Sequence, residues 1–344
     1  MVEVDTRVAS RSEGVVDAPP RPIRVLYLFP GVAEGSAMIF AKQQVEALRD
    51  RGVCSEIFAL GSRTNLFRLH RESRRLRQQI ALFQPDLVHA QYGTMTAFLA
   101  SLTTSVPLVI TFRGSDLNPA PSDPWSRSLL RRWLSQYAAH RAARIICVSH
   151  ALKRRLWWGQ DRTMVLPSGV DTDLFFPRSR TEARASLGWD QHERIVLFNA
   201  GLSPAVKRVD LAEAAVKAAE TLCGPTRLVR LDGRVPHQTV AMMLNGADCL
   251  LMTSDWEGSP NIIKEALACN VPIVSVEVGD VRERLAGVTP SRIVERDPGA
   301  IAQGIADMLA RPQRSNGHAA IASITQNHIA RQIVALYRDT LRIT

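Results

Sequence analysis

Ser254-Asp-Trp-Glu-Gly-Ser-Pro-Asn-Ile-Ile-Lys-Glu-Ala-Leu-Ala-Cys-Asn270 sets two carboxylates, Glu257 and Glu265, on either side of a Gly-Ser-Pro turn that opens an apolar helix. Asp248 to Ser254 upstream and Val271 to Val276 downstream read as short buried strands, so the acidic turn falls at a strand's carboxyl end. In open α/β sheets ligands bind at that end. Ser259 suits an N-cap and Pro260 a first helical residue, which leaves the amides of the next turn unpaired and aimed at the cleft. A phosphate or the polar edge of a sugar suits such a helix start. Glu257 precedes the helix and can reach into the cleft, whereas Glu265 lies inside it and must reach from the helix face. A carboxylate held there can accept two hydrogen bonds from a vicinal diol, the pattern offered by ribose or a pyranose. The plainer alternative is one acid favoured by the helix dipole and one solvated acid.

The rest of the chain frames that choice. Its 344 residues suffice for two ordinary domains, and 46% apolar with 22% charged residues is the composition of a folded protein. No run approaches the roughly 18 apolar residues of a spanning helix. Residues 1–20 are mixed in charge, lack an apolar centre and end in Ala-Pro-Pro, which reads as a disordered tail and not a signal peptide. Five scattered cysteines show neither zinc nor disulfide spacing and suit buried thiols in a reducing compartment.

The net charge of +10 is uneven: residues 1–172 carry 23 Lys and Arg against 14 Asp and Glu, and residues 173–344 carry 20 against 19. Basic clusters run from Arg68 to Arg77, Arg127 to Arg132 and Arg141 to Arg144. Lys153-Arg-Arg-Leu-Trp-Trp158 pairs cations with aromatics suited to an interface. Such a face could lie on anionic lipid or meet a phosphorylated acceptor, or it could consist of ordinary solvated helix faces. No recognised module accompanies the charge to suggest nucleic acid.

Strand-like segments at Ile23–Phe29, Cys54–Leu60, Leu87–Ala90, Leu108–Phe112, Arg144–Val148 and Met164–Leu166 alternate with helical or loop stretches. The alternation restarts at Arg194–Asn199 and Thr226–Leu231, with a long helix over Asp210–Leu222 between them. Two α/β domains with parallel, doubly wound sheets are therefore expected. The divisions fall at 1–20 for the tail, 21–172 for a first domain, 173–190 for a linker and 191–325 for a second domain. A final helix within 326–344 carries Ile333, Leu336, Tyr337 and Leu341 on one face and needs a surface to cover.

In order and spacing, Gly35-Ser36, Pro85–Ala90, Val109–Asp116, Val148-Ser149, Leu166–Asp171, Lys207 and the Glu257/Glu265 pair resemble the retaining, nucleotide-sugar-dependent glycosyltransferases of family 4, also called glycosyl transferases group 1. The likeness covers nearly the whole chain, and Glu257-Gly-Ser-Pro-Asn261 followed by Glu265 is its most specific part. It implies the GT-B fold, two Rossmann-like domains facing across a cleft, with the last helix crossing back onto the first domain. It also implies that Glu265 binds the donor ribose and that Glu257 contacts the transferred sugar. Amides from Gly258, Ser259 and Asn261 around Pro260, with Gly35 and Ser36, would support the sugar or phosphates. Lys207 would neutralise the diphosphate. Composition adds weight there, because the chain has 38 Arg and only 5 Lys, and a compact ammonium can approach a leaving phosphate where a planar guanidinium does not fit.

Two positions depart from the family pattern. Leu202 stands where an arginine usually completes a clamp, which leaves Arg208 as the candidate second cation. Arg113 stands where a histidine usually faces the donor sugar; it could take a catalytic role, pair with Asp116, or bind an anionic sugar or phosphate. His89 and Asp116 are acceptor-side candidates, with a structural role the simpler reading for His89. The resemblance implies no metal and no cofactor beyond the nucleotide-sugar co-substrate, and no acidic cluster has the look of a Mg²⁺ site. The expected activity is transfer of a sugar to a hydroxyl of a lipid-linked, polysaccharide or secondary-metabolite acceptor, in the cytoplasm or at the inner face of the membrane. A nucleotide-sugar epimerase of the same fold and a degenerate binding protein are the alternatives.

Overall fold

The computed structural model describes residues 21–31, 38–61, 66–118, 124–201 and 203–343. The tail expected over 1–20, the candidate residues Gly35 and Ser36, and Leu202 lie outside them. Strands β1 (Ile23–Pro30), β2 (Val53–Leu60), β3 (Leu87–Ala90), β4 (Leu108–Phe112), β5 (Arg144–Cys147) and β6 (Thr163–Val165) form a six-stranded parallel sheet in the order β2-β1-β3-β4-β5-β6. Strands β7 (Arg194–Asn199), β8 (Thr226–Leu231), β9 (Cys249–Met252), β10 (Ile273–Val276) and β11 (Arg292–Val294) form a second parallel sheet in the order β11-β10-β9-β7-β8. Every residue of β3, β4, β9 and β10 is buried. Parallel strands covered by helices on both faces need such continuous apolar runs.

Both sheets share one winding rule. The chain leaves the first strand toward one edge, then returns across it to build the other side, so the connections part between β1 and β3 and again between β7 and β9. A crevice opens at the carboxyl ends of strands where connections diverge in this way.

The last helix, Gln326–Ile343, returns to the first domain as its apolar face requires. Ile329, Ile333, Leu336 and Tyr337 are buried with Val25, Tyr27, Ala41, Val45 and Leu48, each fully buried large side chain contributing on the order of 1.5–3 kcal/mol. Where the chain crosses between domains, Val170 bridges Thr325, with the Gln326 amide donating to the Val170 carbonyl at 2.7 Å. A Cβ on Gly169 would stand 2.6 Å from Gln326 Cα, so the crossing segments approach this closely only with glycine there. The sequence reading did not mark β11 or the Pro298–Ala310 helix; at three residues, β11 is too short to show a periodicity.

Candidate active site

Two loops at the β7/β9 parting build the site. After β7 a single turn, Pro204–Lys207, carries Lys207 at its end. After β9 the chain runs through Thr253 to Pro260 into the helix Asn261–Ala268. Thr253 Oγ1 donates to the Lys207 carbonyl at 2.8 Å, and the Asp255 amide donates to the Val206 carbonyl at 2.9 Å, so the loops are stitched together. The result is an ion pair between Lys207 Nζ and Glu257 Oε1 at 2.5 Å, both side chains largely shielded from solvent.

A cavity of about 460 Å³ adjoins this pair, lined by Asn199, Gly201, Lys207, Ile262 and Glu265 from the second domain and by Ile39 and Phe40 from the first. Gly233 to His237, the stretch after β8, close one side. Phe40 stacks on the His237 ring across the domain boundary with centroids 5.4 Å apart. Glu265 is nearly buried, and the burial pushes its carboxyl up to about 7, against the pull of Lys264. A dry carboxylate facing a cavity is poorly solvated and gains much from donors that a ligand brings.

Lys264 is fully buried; its Nζ donates to the Ser168 carbonyl of the first domain at 2.9 Å. Burial brings its ammonium down to about 7. Sequence reasoning passed over Lys264 and Phe40. Lys264 carried a usable signal, since the scarcity of lysine that marks Lys207 marks it equally.

The helix begins one residue later than expected, with Pro260 as its N-cap and Asn261 as its first residue. Ser259 is not the cap; its hydroxyl donates to Asp280 Oδ2 at 2.8 Å. Gly258 is wedged against the first domain, and a Cβ there would collide with the Arg113 carbonyl oxygen. Ser259 and Asn261 join Met38, Phe40, Arg113 and Ser168 around a smaller interdomain cavity of about 100 Å³.

The remaining candidates are held by partners within the protein. The Arg113 guanidinium does not pair with Asp116. It donates to the Gln91 carbonyl at 3.1 Å, to Gln91 Oε1 at 2.5 Å, to Gln44 Oε1 at 3.2 Å and to Ser168 Oγ at 3.0 Å. Burial lowers its pKa to about 10, with Asp116 opposing. Asp116 instead accepts the backbone amides of Arg113, Gly114 and Gly93, which fixes the loop after β4 and leaves the carboxylate buried, away from the cleft. Burial raises its pKa, and those amides oppose the rise. His89 is sealed between Tyr337 OH at 2.5 Å and Thr111 Oγ1 at 2.8 Å, and burial brings its pKa down to about 3. Arg208 turns to Asp210 at 2.8 Å and Asp255 at 3.3 Å and does not line the large cavity. The structure thus brings Lys207, Glu257 and Glu265 together at one site, places Arg113, Ser259 and Asn261 at a second, and takes His89, Asp116 and Arg208 away from both.

Residues 36–174 match the family model described as Glycosyltransferase Family 4, and residues 190–311 match that described as Glycosyl transferases group 1. A Bacillus subtilis glycosyltransferase named for teichuronic acid biosynthesis is 28% identical over 216 residues, 57% of this chain; the chain spans about half of that relative's length, 54%. Among solved structures, sucrose-phosphate synthase from Thermosynechococcus elongatus superimposes with a TM-score of 0.79 at 18% identity, covering 94% of this chain and all of that one. The Anabaena protein Alr3699/HepE in complex with UDP gives 0.71 at 17% identity, covering 92% and 100%. These likenesses establish the two-domain GT-B fold.

Proposed function

The chain belongs to glycosyltransferase family 4, and from that premise we propose that it moves a sugar from a nucleoside diphosphate donor to a hydroxyl of a lipid-linked or polysaccharide acceptor, with retention at the anomeric carbon and without a metal. The observation that carries the reading is the large cavity at the β7/β9 parting, lined by Lys207 and Glu265, with Glu257 paired to Lys207. Glu265, short of donors in its buried setting, takes the two ribose hydroxyls. Lys207 and Glu257 satisfy each other in the free protein; the donor offers an anion to the first and sugar hydroxyls to the second.

Breaking the bond from the anomeric carbon to the diphosphate oxygen leaves negative charge on that oxygen. Lys207 stabilises it, as do the free amides at the start of the Asn261–Ala268 helix. The acceptor oxygen forms its bond to the same carbon on the same face, and its proton passes to the departing phosphate oxygen, so charge and atoms balance. A lysine and amides can meet the developing charge without a divalent ion, so activity is expected to persist in excess EDTA. A donor of this class is made in the cytoplasm, which sets the site there, with a peripheral position at the inner membrane face for a lipid-linked acceptor.

A thermal-shift screen of UDP-, GDP-, ADP- and dTDP-sugars against the wild type and Glu265→Ala tests the donor site, since a ligand bound only by the native state raises its melting temperature. Stabilisation by one nucleotide family, abolished in the variant, supports the assignment and fixes the base. Acceptor-dependent product then distinguishes transfer from epimerisation, which would yield free sugar and nucleotide intermediates. A folded wild type that responds to no sugar nucleotide refutes the donor site.

A further inference from the structure

The helix Trp125–Arg141 is patterned inside out. It buries Ser135, Gln136, Ala138 and Ala139 against the first domain. Outward it turns Trp125, Leu129, Trp133 and Tyr137, spaced four apart along one stripe, with Leu130 beside them; Trp125 is 80% and Leu130 58% exposed. A helix facing only water carries its large apolar residues on the opposite side. Trp157 and Trp158 extend the patch: Trp133 meets Trp157 edge-on at 5.4 Å, and Trp157 meets Trp158 at 5.7 Å. Contiguous exposed apolar surface of this kind marks a contact site.

Charge identifies what it contacts. Residues 124–160 contain eight Lys and Arg and no Asp or Glu. Arg127, Arg132, Arg141, Arg154 and Arg155 are exposed, and Arg132 lies 5.0 Å over the Trp157 ring. Tryptophans set among cations, with no acids between them, match the headgroup region of an anionic bilayer, where indole rings settle and each cation adds attraction. Two copies of this chain meeting through the patch would oppose like charges.

The patch also connects to the cleft. Ser135 Oγ donates to the Asp116 carbonyl and accepts the Thr94 amide, both at 2.8 Å, and Arg131 donates to the Ser115 carbonyl at 2.9 Å. The helix thereby backs the loop that carries Arg113 to the smaller interdomain cavity.

We propose that the face formed by Trp125, Leu129, Trp133, Trp157 and Trp158 with their arginines docks on an anionic phospholipid bilayer and holds the cleft beside it. That the cleft there meets a lipid-borne acceptor rests on the transfer reading above; the docking does not, and its test reads binding alone. Purified protein is sedimented with vesicles of phosphatidylcholine, or of phosphatidylcholine and phosphatidylglycerol in equal parts. The wild type pellets with the anionic vesicles only, its tryptophan emission shifts to the blue, and added salt reverses both. Arg127→Glu combined with Arg132→Glu lowers partition by at least about tenfold. Trp125→Ser combined with Trp133→Ser lowers partition and shrinks the blue shift, the remainder of which Trp157 and Trp158 report. Both variants retain the wild-type melting curve, since the replaced side chains are exposed. A wild type that stays in the supernatant with anionic vesicles overturns the proposal without recourse to any variant. So do variants that pellet like the wild type, or a dimer that Trp133→Ser dissociates in a protein indifferent to lipid.

Discussion

The two domains share a winding rule and use it differently. At the β7/β9 parting the loops, bonded to each other, bring Lys207 and Glu265 to a large cavity, with Glu257 paired to Lys207. At the β1/β3 parting the polar residues bond to their own domain: His89 to Tyr337 and Thr111, Asp116 to three backbone amides, and Arg113 to Gln44, Gln91 and Ser168. Topology supplies a crevice in both places, and side-chain satisfaction decides which remains open for a ligand. A buried polar group with all its partners in the protein holds structure; one short of partners beside a cavity is available for chemistry.

That contrast breaks most visibly at Lys207. Lys207→Ala is expected to lower kcat by about 10²–10³-fold, the loss of one charge-stabilising contact in the transition state, with a lesser fall in the urea midpoint as Glu257 loses its ion-pair partner. Arg113→Met should do the reverse, destabilising by about 2–3 kcal/mol as Gln91, Gln44 and Ser168 lose their donor. Its residual turnover per folded molecule should exceed that of Lys207→Ala. Arg113 belongs with the catalytic machinery if its variant unfolds at the wild-type urea concentration yet has lost activity to the same degree.

The buried neighbours Glu265 and Lys264 give the site a pH signature. Glu265 is raised from 4.5 to about 7 by burial, so between those values the folded protein holds a proton that the unfolded chain has released, and stability falls as pH rises. Lys264 is lowered from 10.5 to about 7, so from 7 upward the unfolded chain holds the extra proton, and stability climbs with pH. Urea titrations across pH should show Glu265→Gln flattening the acid limb and Lys264→Met the alkaline limb. Because a ribose diol needs the carboxylate, donor affinity should weaken by up to about tenfold per pH unit below 7. An affinity independent of pH in that range would remove Glu265 from the diol.

Much of this was legible from residue pattern. The alternation of apolar runs located ten of the eleven strands among the described residues, because a parallel strand buried on both faces has few other ways to read. Glu257 and Glu265 stood out because their spacing around Gly-Ser-Pro joins a turn to a helix start. What a one-dimensional pattern does not carry is satisfaction. His89 and Asp116 are strand-end polar residues like Lys207, and only the fold reveals that Tyr337, 248 residues along the chain from His89, closes off its ring. Gly258 looks like a phosphate-binding glycine in sequence, yet its lack of a side chain is also required by the Arg113 carbonyl of the other domain. The Trp125–Arg141 helix escaped outline because its apolar stripe faces outward, where periodicity taken alone points to a core.

The smallest effect sharpens the comparison at Arg208. It stands beside Lys207 in sequence and is the natural substitute for the cation missing at Leu202, yet it holds Asp210 and Asp255. Hydrogen bonding to Asp210 first, and then to Asp255, raises its pKa. Exposed pairs of this kind contribute less than about 1 kcal/mol, so Arg208→Ala should leave the urea midpoint nearly unchanged and alter kcat by less than about threefold, two orders of magnitude milder than Lys207→Ala. Comparing the two variants at saturating donor isolates the contribution to the leaving group from that to binding. If Arg208→Ala instead costs as much kcat as Lys207→Ala, the guanidinium must leave its two aspartates for the diphosphate when the donor arrives, and the clamp has two cations. If it does not, Lys207 and the helix amides meet the developing charge without Arg208, and the asymmetry between neighbouring cations is set by what each already holds in the free protein.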